Sequence, residues 1–166
     1  MTEKDTFIAI HDREYQITRR LISAFPATEL SYRPHPRSRS AAELAFTLAN
    51  HELLFTQAVK GIFDPSIFAA APPATLPEIL SALAAGAEPV PAAITSALDA
   101  DLNQQMNFAG HQMRRLDVMW AALFDLIHHR GQFSVYVRMA GGKVPSIYGP
   151  SADDPGHPVA AAAVQS

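Results

Sequence analysis

The chain has no cysteine in its 166 residues. That excludes a disulfide framework, a thiolate zinc site and a cysteine nucleophile, so any metal must be held by histidine and carboxylate. Charged residues are sparse at 17% and sum to a net charge of -3, which gives no general pull toward nucleic acid. Arg33, Arg37 and Arg39 form a local basic cluster, but in a Pro/Ser-rich stretch such a run reads as a solvated loop. Long hydrophobic runs are missing too. No stretch approaches the roughly 18 apolar residues of a membrane span, and the opening MTEKD is too acidic and polar for a secretory signal, so a cytoplasmic protein with no membrane partner is expected. No serine or threonine sits in a nucleophile elbow, and Gly141-Gly142-Lys143 lacks the earlier glycine and following hydroxyl of a phosphate loop. No internal repeat and almost no alternating strand pattern are visible.

What is present is helical periodicity in a hydrophobic fraction of 48%, enough for one domain to bury a core without a covalent or metal staple. Phe7, Ile10, Ile17 and Leu21 recur at helical spacing over about residues 6–25, with Pro26 as the stop. A Pro-rich connection follows to Ser40, which caps a second helix as one half of a capping box with Glu43. That helix is expected to run to about Ile62. Thr75 caps a third, Ala-rich segment, broken at Glu88-Pro89-Val90-Pro91 and resumed from about Pro91 to Leu102. Residues 103–112 have no clear period and read as a loop or a short extended piece. The last helix spans about Arg114 to Ala140 and stops at Gly141-Gly142. Beyond it, about residues 143–166 form a tail with a mobile Ala-rich end. Four segments of this kind make an all-α chain, a single four-helix bundle domain, whose interior is where ligands and metals belong.

At ~100° per residue, Gln132, Tyr136 and His129 of the last helix fall within about 40° of Asp125. Arg130, Ser134 and Arg138 fall opposite. Assigning the arginine face to solvent turns the Asp125, His129, Gln132, Tyr136 line inward. The line continues through Val118, Ala121 and Ala122, small enough to leave room for a ligand. Asp125 and His129 are one helical turn apart, a spacing suited to chelating a cation, although it is equally that of a simple intrahelical pair. His51 interrupts the apolar stripe of the second helix and is the best third ligand. Gln132 and Tyr136 are then placed to orient a substrate, and Tyr148 of the tail to cover the pocket. His11, His111 and His157 have no such partner at helical spacing and read as surface or structural residues. Trp120 reads as core or interface.

The run IHHRGQFSVYVRMAGGKVPSIYGPSADD, from Ile127 to Asp154, resembles the C-terminal signature of the DinB-like family of damage-inducible proteins, also described as YfiT-like metal-dependent hydrolases. LSYRPHPRSRSAAELAFTLANHE, from Leu30 to Glu52, resembles that family's first loop and second helix. The resemblance implies a four-helix bundle, often a homodimer, with zinc or nickel held by three histidines, one on the second helix and two on the last. It also implies a small-molecule substrate, in a hydrolase or a small-group transferase of the kind that acts on thiol adducts. His129 matches the final histidine, immediately before Arg-Gly-Gln. Asp125 stands where the first of the pair is expected, and Thr47 aligns with the histidine of the second helix, His51 lying one turn later. Two readings follow: a metal-dependent enzyme using His51, Asp125 and His129, or a non-catalytic ligand-binding or stress-response dimer with a degenerate site.

Overall fold

In the computed structural model, which describes residues 2–156, the order of elements is α1 (Glu3–Ser23), α2 (Ala41–Val59), α3 (Leu76–Ala87), α4 (Val90–Ser96), α5 (Asp99–Leu102), β1 (Gln105–Phe108), β2 (His111–Arg114) and α6 (Arg115–Met139). Helices α1, α2 and α6, with α3–α4 as the fourth member, form the bundle. The all-α fold class expected from periodicity holds. His157 and the Ala-rich end lie outside the described residues.

Local chemistry sets the helix boundaries. Thr2 with Asp5, Ser40 with Glu43 and Thr75 with Glu78 each form a reciprocal capping box, satisfying amide donors that a helix start leaves free. The break in the third segment falls where expected, with α3 ending at Ala87 and α4 starting at Val90. Residues 76–96 are, by composition, long and apolar enough to cross a membrane, with a mean hydropathy of 1.2. This corrects the expectation that no stretch comes close. Pro89 interrupts the segment, and Ile79, Leu83, Val90 and Ile94 are fully buried against the bundle. Residues 103–112, which show no period, make most of a β-hairpin paired from Gln105↔Arg114 to Phe108↔His111. Its turn places Ala109 and Gly110 at φ +53° and +90°, the geometry of the tight turns that match strand twist.

Helix α2 is the central element, with buried residues over most of its circumference from Ala41 to Ala58. It packs on α6 on one side and α3 on the other. The approach to α3 is close enough that a Cβ at Gly86 would stand 2.9 Å from Cβ of Glu52, so glycine is needed there. Phe7 locks α1 against both neighbours, edge-on to Phe55 at 5.6 Å and to Trp120 at 5.0 Å. Burying an aromatic side chain of this kind contributes about 1.5–3 kcal/mol.

The inward face of α6 is centred on Leu126, Arg130, Phe133 and Val137, each 0–1% exposed. Arg130 had been expected in solvent and is instead among the most deeply buried side chains. Its Nη2 donates to Glu14 Oε2 of α1 at 2.5 Å and its Nη1 to the Glu14 carbonyl at 3.1 Å. Arg13 donates to the other carboxylate oxygen at 2.8 Å, and Tyr148 donates its hydroxyl to Oε2 at 2.7 Å. Burial alone would raise the Glu14 carboxyl, but hydrogen bonds from Tyr148, Arg130 and Arg13 prevail and hold it below the usual carboxylate range. Tyr148 thus ties the tail to the α1–α6 seam. It does not cover the cavity near Asp125, because the buried ion pair takes its hydroxyl. The tail is further fastened by Asp153, which accepts from Arg138 at 2.6 Å and from the Val144 amide at 3.0 Å.

Candidate metal centre between α2 and α6

With Arg130 inward, the polar line of α6 is rotated to the rim of the bundle and points inward only in part. Tyr136 is buried, His129 half-buried, and Asp125 and Gln132 exposed. Val118 and Ala122, read as leaving room for a ligand, are packed at 0% and 3% exposure. The open space lies at the other end of the line, in a cavity of about 460 Å³ whose wall includes His129, Gln132, Tyr136 and Arg39.

His51, Asp125 and His129 do come together. His51 Nε2 is 2.8 Å from Asp125 Oδ2, and His129 Nε2 is 3.4 Å from the same oxygen. The side chains are graded in exposure from 1% at His51 through 19% at His129 to 55% at Asp125. On α2 the histidine that reaches α6 is therefore His51. Thr47, at the position aligned with the family histidine, instead accepts a hydrogen bond from Arg39 Nη1 at 3.0 Å and donates to the Glu43 carbonyl.

Both imidazoles are held by their far nitrogens. Nδ1 of His51 donates to the Thr47 carbonyl at 2.7 Å, and Nδ1 of His129 to Gln132 Oε1 at 3.2 Å. Such contacts fix the tautomer and ring angle of metal-ligating histidines, leaving the Nε2 lone pair free to coordinate. For His51, the carbonyl and the carboxylate are both satisfied by hydrogen bonds only when the ring is doubly protonated. A ring protonated on Nδ1 alone turns its Nε2 lone pair toward Asp125, the donor arrangement that a divalent cation takes. The hydrogen bond from His51 holds the Asp125 carboxyl below the usual carboxylate range despite partial burial. Burial holds the His129 imidazole below the usual histidine range, against the opposing pull of Gln132 and Asp125. These directions favour a carboxylate and a neutral ring, the ligand forms of both groups.

Two ligands about 2.1 Å from one tetrahedral ion stand about 3.4 Å apart. The His129–Asp125 separation equals this distance, whereas His51–Asp125 is shorter and closes the set as hydrogen bonds. Accordingly, among the described residues no group of three or more His, Asp or Glu side chains is arranged to hold a metal ion. The donor types are those a divalent ion takes, but an ion would fit only if Asp125, the most exposed of the three, drew back from His51.

Gln132 and Tyr136, expected to orient substrate, are committed to the protein. Gln132 accepts from His129 and donates to His128 Nε2 at 2.9 Å, and Tyr136 donates its hydroxyl to the Arg39 carbonyl at 3.1 Å. They are positioning residues for His129 and for the loop that carries Arg39. His11 is buried and pairs with Glu52 at 2.6 Å across two helices, a partner invisible at helical spacing. His111 is exposed.

The fold and these side chains define a helical bundle with a histidine–carboxylate cluster between its second and last long helices. The chain belongs to the DinB family, whose sequence profile matches residues 1–158. Its structure is similar to that of a DinB-like protein from Bacillus cereus, with a TM-score of 0.77 and 21% identity, covering 87% of this chain and 97% of that one. A DinB-like protein from Bacillus subtilis, YjoA, gives a TM-score of 0.66 and 21% identity over 82% of this chain and 92% of its own. A local match to the uncharacterised protein YrdA of Bacillus subtilis is 39% identical over 56 residues, about a third of either chain at 34% of each.

Proposed function

We propose that this chain is a metal-dependent enzyme of the DinB family, a hydrolase or small-group (thiol-type) transferase acting on a small molecule in the cytoplasm. Its zinc or nickel ion would be held by His51, Asp125 and His129. The observation that carries the reading is that two imidazoles, each anchored through Nδ1 to an oxygen acceptor, aim Nε2 at one carboxylate oxygen. A divalent ion there supplies an acidified water or a polarised substrate group. The protein's own part is to hold the donors. Thr47 fixes the His51 ring through its carbonyl, Gln132 turns His129, and Tyr136 keeps the loop at Arg39 against the cavity. The exposed stripe Phe124, Val135 and Met139 on the outer side of α6 supports a homodimer.

The alternative, a non-catalytic ligand-binding or stress-response dimer, draws support from the closed His51–Asp125 contact. Elemental analysis of untagged protein, with thermal shift on adding zinc or nickel, separates the two. Near one equivalent of bound metal and a raised melting temperature are expected for the enzyme. No stoichiometric metal and no shift would leave the cluster as ion pairs and remove the metal reading.

A further inference from the structure

A second cavity, of about 520 Å³, shares Ser38 and Arg39 with the first and lies between the loop at residues 33–39, α2 and the segment around Phe68. Its walls are chemically divided. Arg37 and Arg39 line it without any carboxylate partner among the described residues, whereas Arg33 is neutralised by Glu43 at 3.0 Å. Arg39 spends one donor on the hydroxyl of Thr47 and keeps the rest of its guanidinium available. Phe46 and Phe68 form an apolar wall, and Phe68 packs edge-on against the His51 ring at 5.2 Å, so one aromatic ring separates the cavity from His51. Asn50 also lines it. That side chain is only 4% exposed, and its carboxamide has no hydrogen-bond partner among the described residues. The sealed polar atoms left without a partner among the described residues are His11 Nδ1 and Arg115 Nε; the Asn50 carboxamide is not one of them, so its polar atoms open onto the cavity and are free to bond what enters it.

We propose that this cavity binds the carboxylate of a small organic acid with a flat apolar body. Arg37 and Arg39 take the anionic oxygens, Asn50 Nδ2 donates to the same group, and the body lies along Phe46 and Phe68. The assignment deepens the metal-enzyme reading, on which its meaning as substrate recognition rests, by naming the substrate class. A guanidinium offers planar paired donors to a carboxylate, and aromatic walls favour a flat partner. Arg39 lines both this cavity and the one that His129 faces, and the Phe68 ring stands between the acid site and His51.

The test is a titration of the full chain with 3-phenylpropionate and, separately, its neutral amide 3-phenylpropionamide, each with and without one equivalent of zinc. Binding is followed through the Asn50 side-chain amide and the arginine Nε–H resonances by nitrogen-15 NMR. The carboxylate is expected to move the Asn50 and Arg39 signals, and the amide to bind at least about tenfold more weakly, as befits loss of a charge-assisted contact. Arg39→Gln, at an exposed side chain, should weaken the acid about tenfold with an unchanged melting temperature; Asn50→Ala should weaken it as well, read at the Arg39 Nε–H signal. Equal binding of the two probes, or no response of Asn50 with or without zinc, overturns the proposal. Acid binding in a protein that takes up no zinc leaves this site standing and removes the metal reading alone. Zinc uptake without acid binding does the reverse.

Discussion

His129 and Arg130 are neighbours in sequence, yet their side chains leave α6 toward two sites of opposite character. Arg130 enters a closed network. Both it and Glu14 are 1% exposed, and Arg13, Thr18 and Tyr148 complete the hydrogen bonding. His129 faces a rim where one carboxylate is shared by two imidazoles and a cavity opens beside them. A buried ion pair held by several hydrogen bonds keeps a structure in one arrangement. A cluster whose ring nitrogens converge on an exposed carboxylate can exchange its partners, and chemistry needs that freedom.

The sharpest way to break this contrast is Arg130→Ala. It removes the buried cation from the Glu14 carboxylate, leaving it only Arg13 and Tyr148, and a loss of about 3–5 kcal/mol is expected by urea denaturation; a loss below about 1 kcal/mol would mean that the pair is not structural. Asp125→Asn should behave oppositely. With its side chain 55% exposed, stability should change by no more than about 1 kcal/mol, while zinc affinity measured by calorimetry falls more than tenfold.

Acid should also separate the two sites. The Glu14 carboxyl titrates below its unfolded value, so its contribution to stability is fully present above the unfolded value of about 4.3 and is lost as pH falls through the folded one. Glu14→Gln should therefore flatten the acid side of the stability profile, measured by urea melts between about pH 3 and 7, whatever its effect at neutrality. The smallest change is Tyr148→Phe, which removes one hydroxyl from the closed network. A cost of about 1 kcal/mol is expected, with zinc affinity unchanged. A change in metal binding would return Tyr148 to the cavity from which the structure removes it.

Most helix ends could be read from sequence because caps are local. Ser40 with Glu43, Thr75 with Glu78, and Gly141 at φ +85° are decided by residues within one turn. The triad was also within reach, since periodicity aligned Asp125 with His129 and singled out His51 as a polar break in an apolar stripe. The facing of α6 was not. An arginine reads as a solvent residue unless its counter-charge is known, and Glu14 lies 116 residues away on another helix. That misplacement rotated the whole polar line inward and assigned Tyr148 to the wrong cavity. The hairpin was hidden because its strands are four residues each and bury little beyond Met106. Asn50 passed unnoticed because nothing local distinguishes a paired buried amide from an unpaired one.

The most direct test of the proposed metal centre is a long-range nitrogen-15 correlation spectrum of the histidine rings during titration with zinc. At one equivalent, the Nε2 resonances of His51 and His129 should move together to metal-bound positions while their Nδ1–H signals and the ring of His11 stay in place. If neither Nε2 responds, or zinc is taken up first by His111 or His128, the cluster between α2 and α6 is an ion pair and not a metal centre.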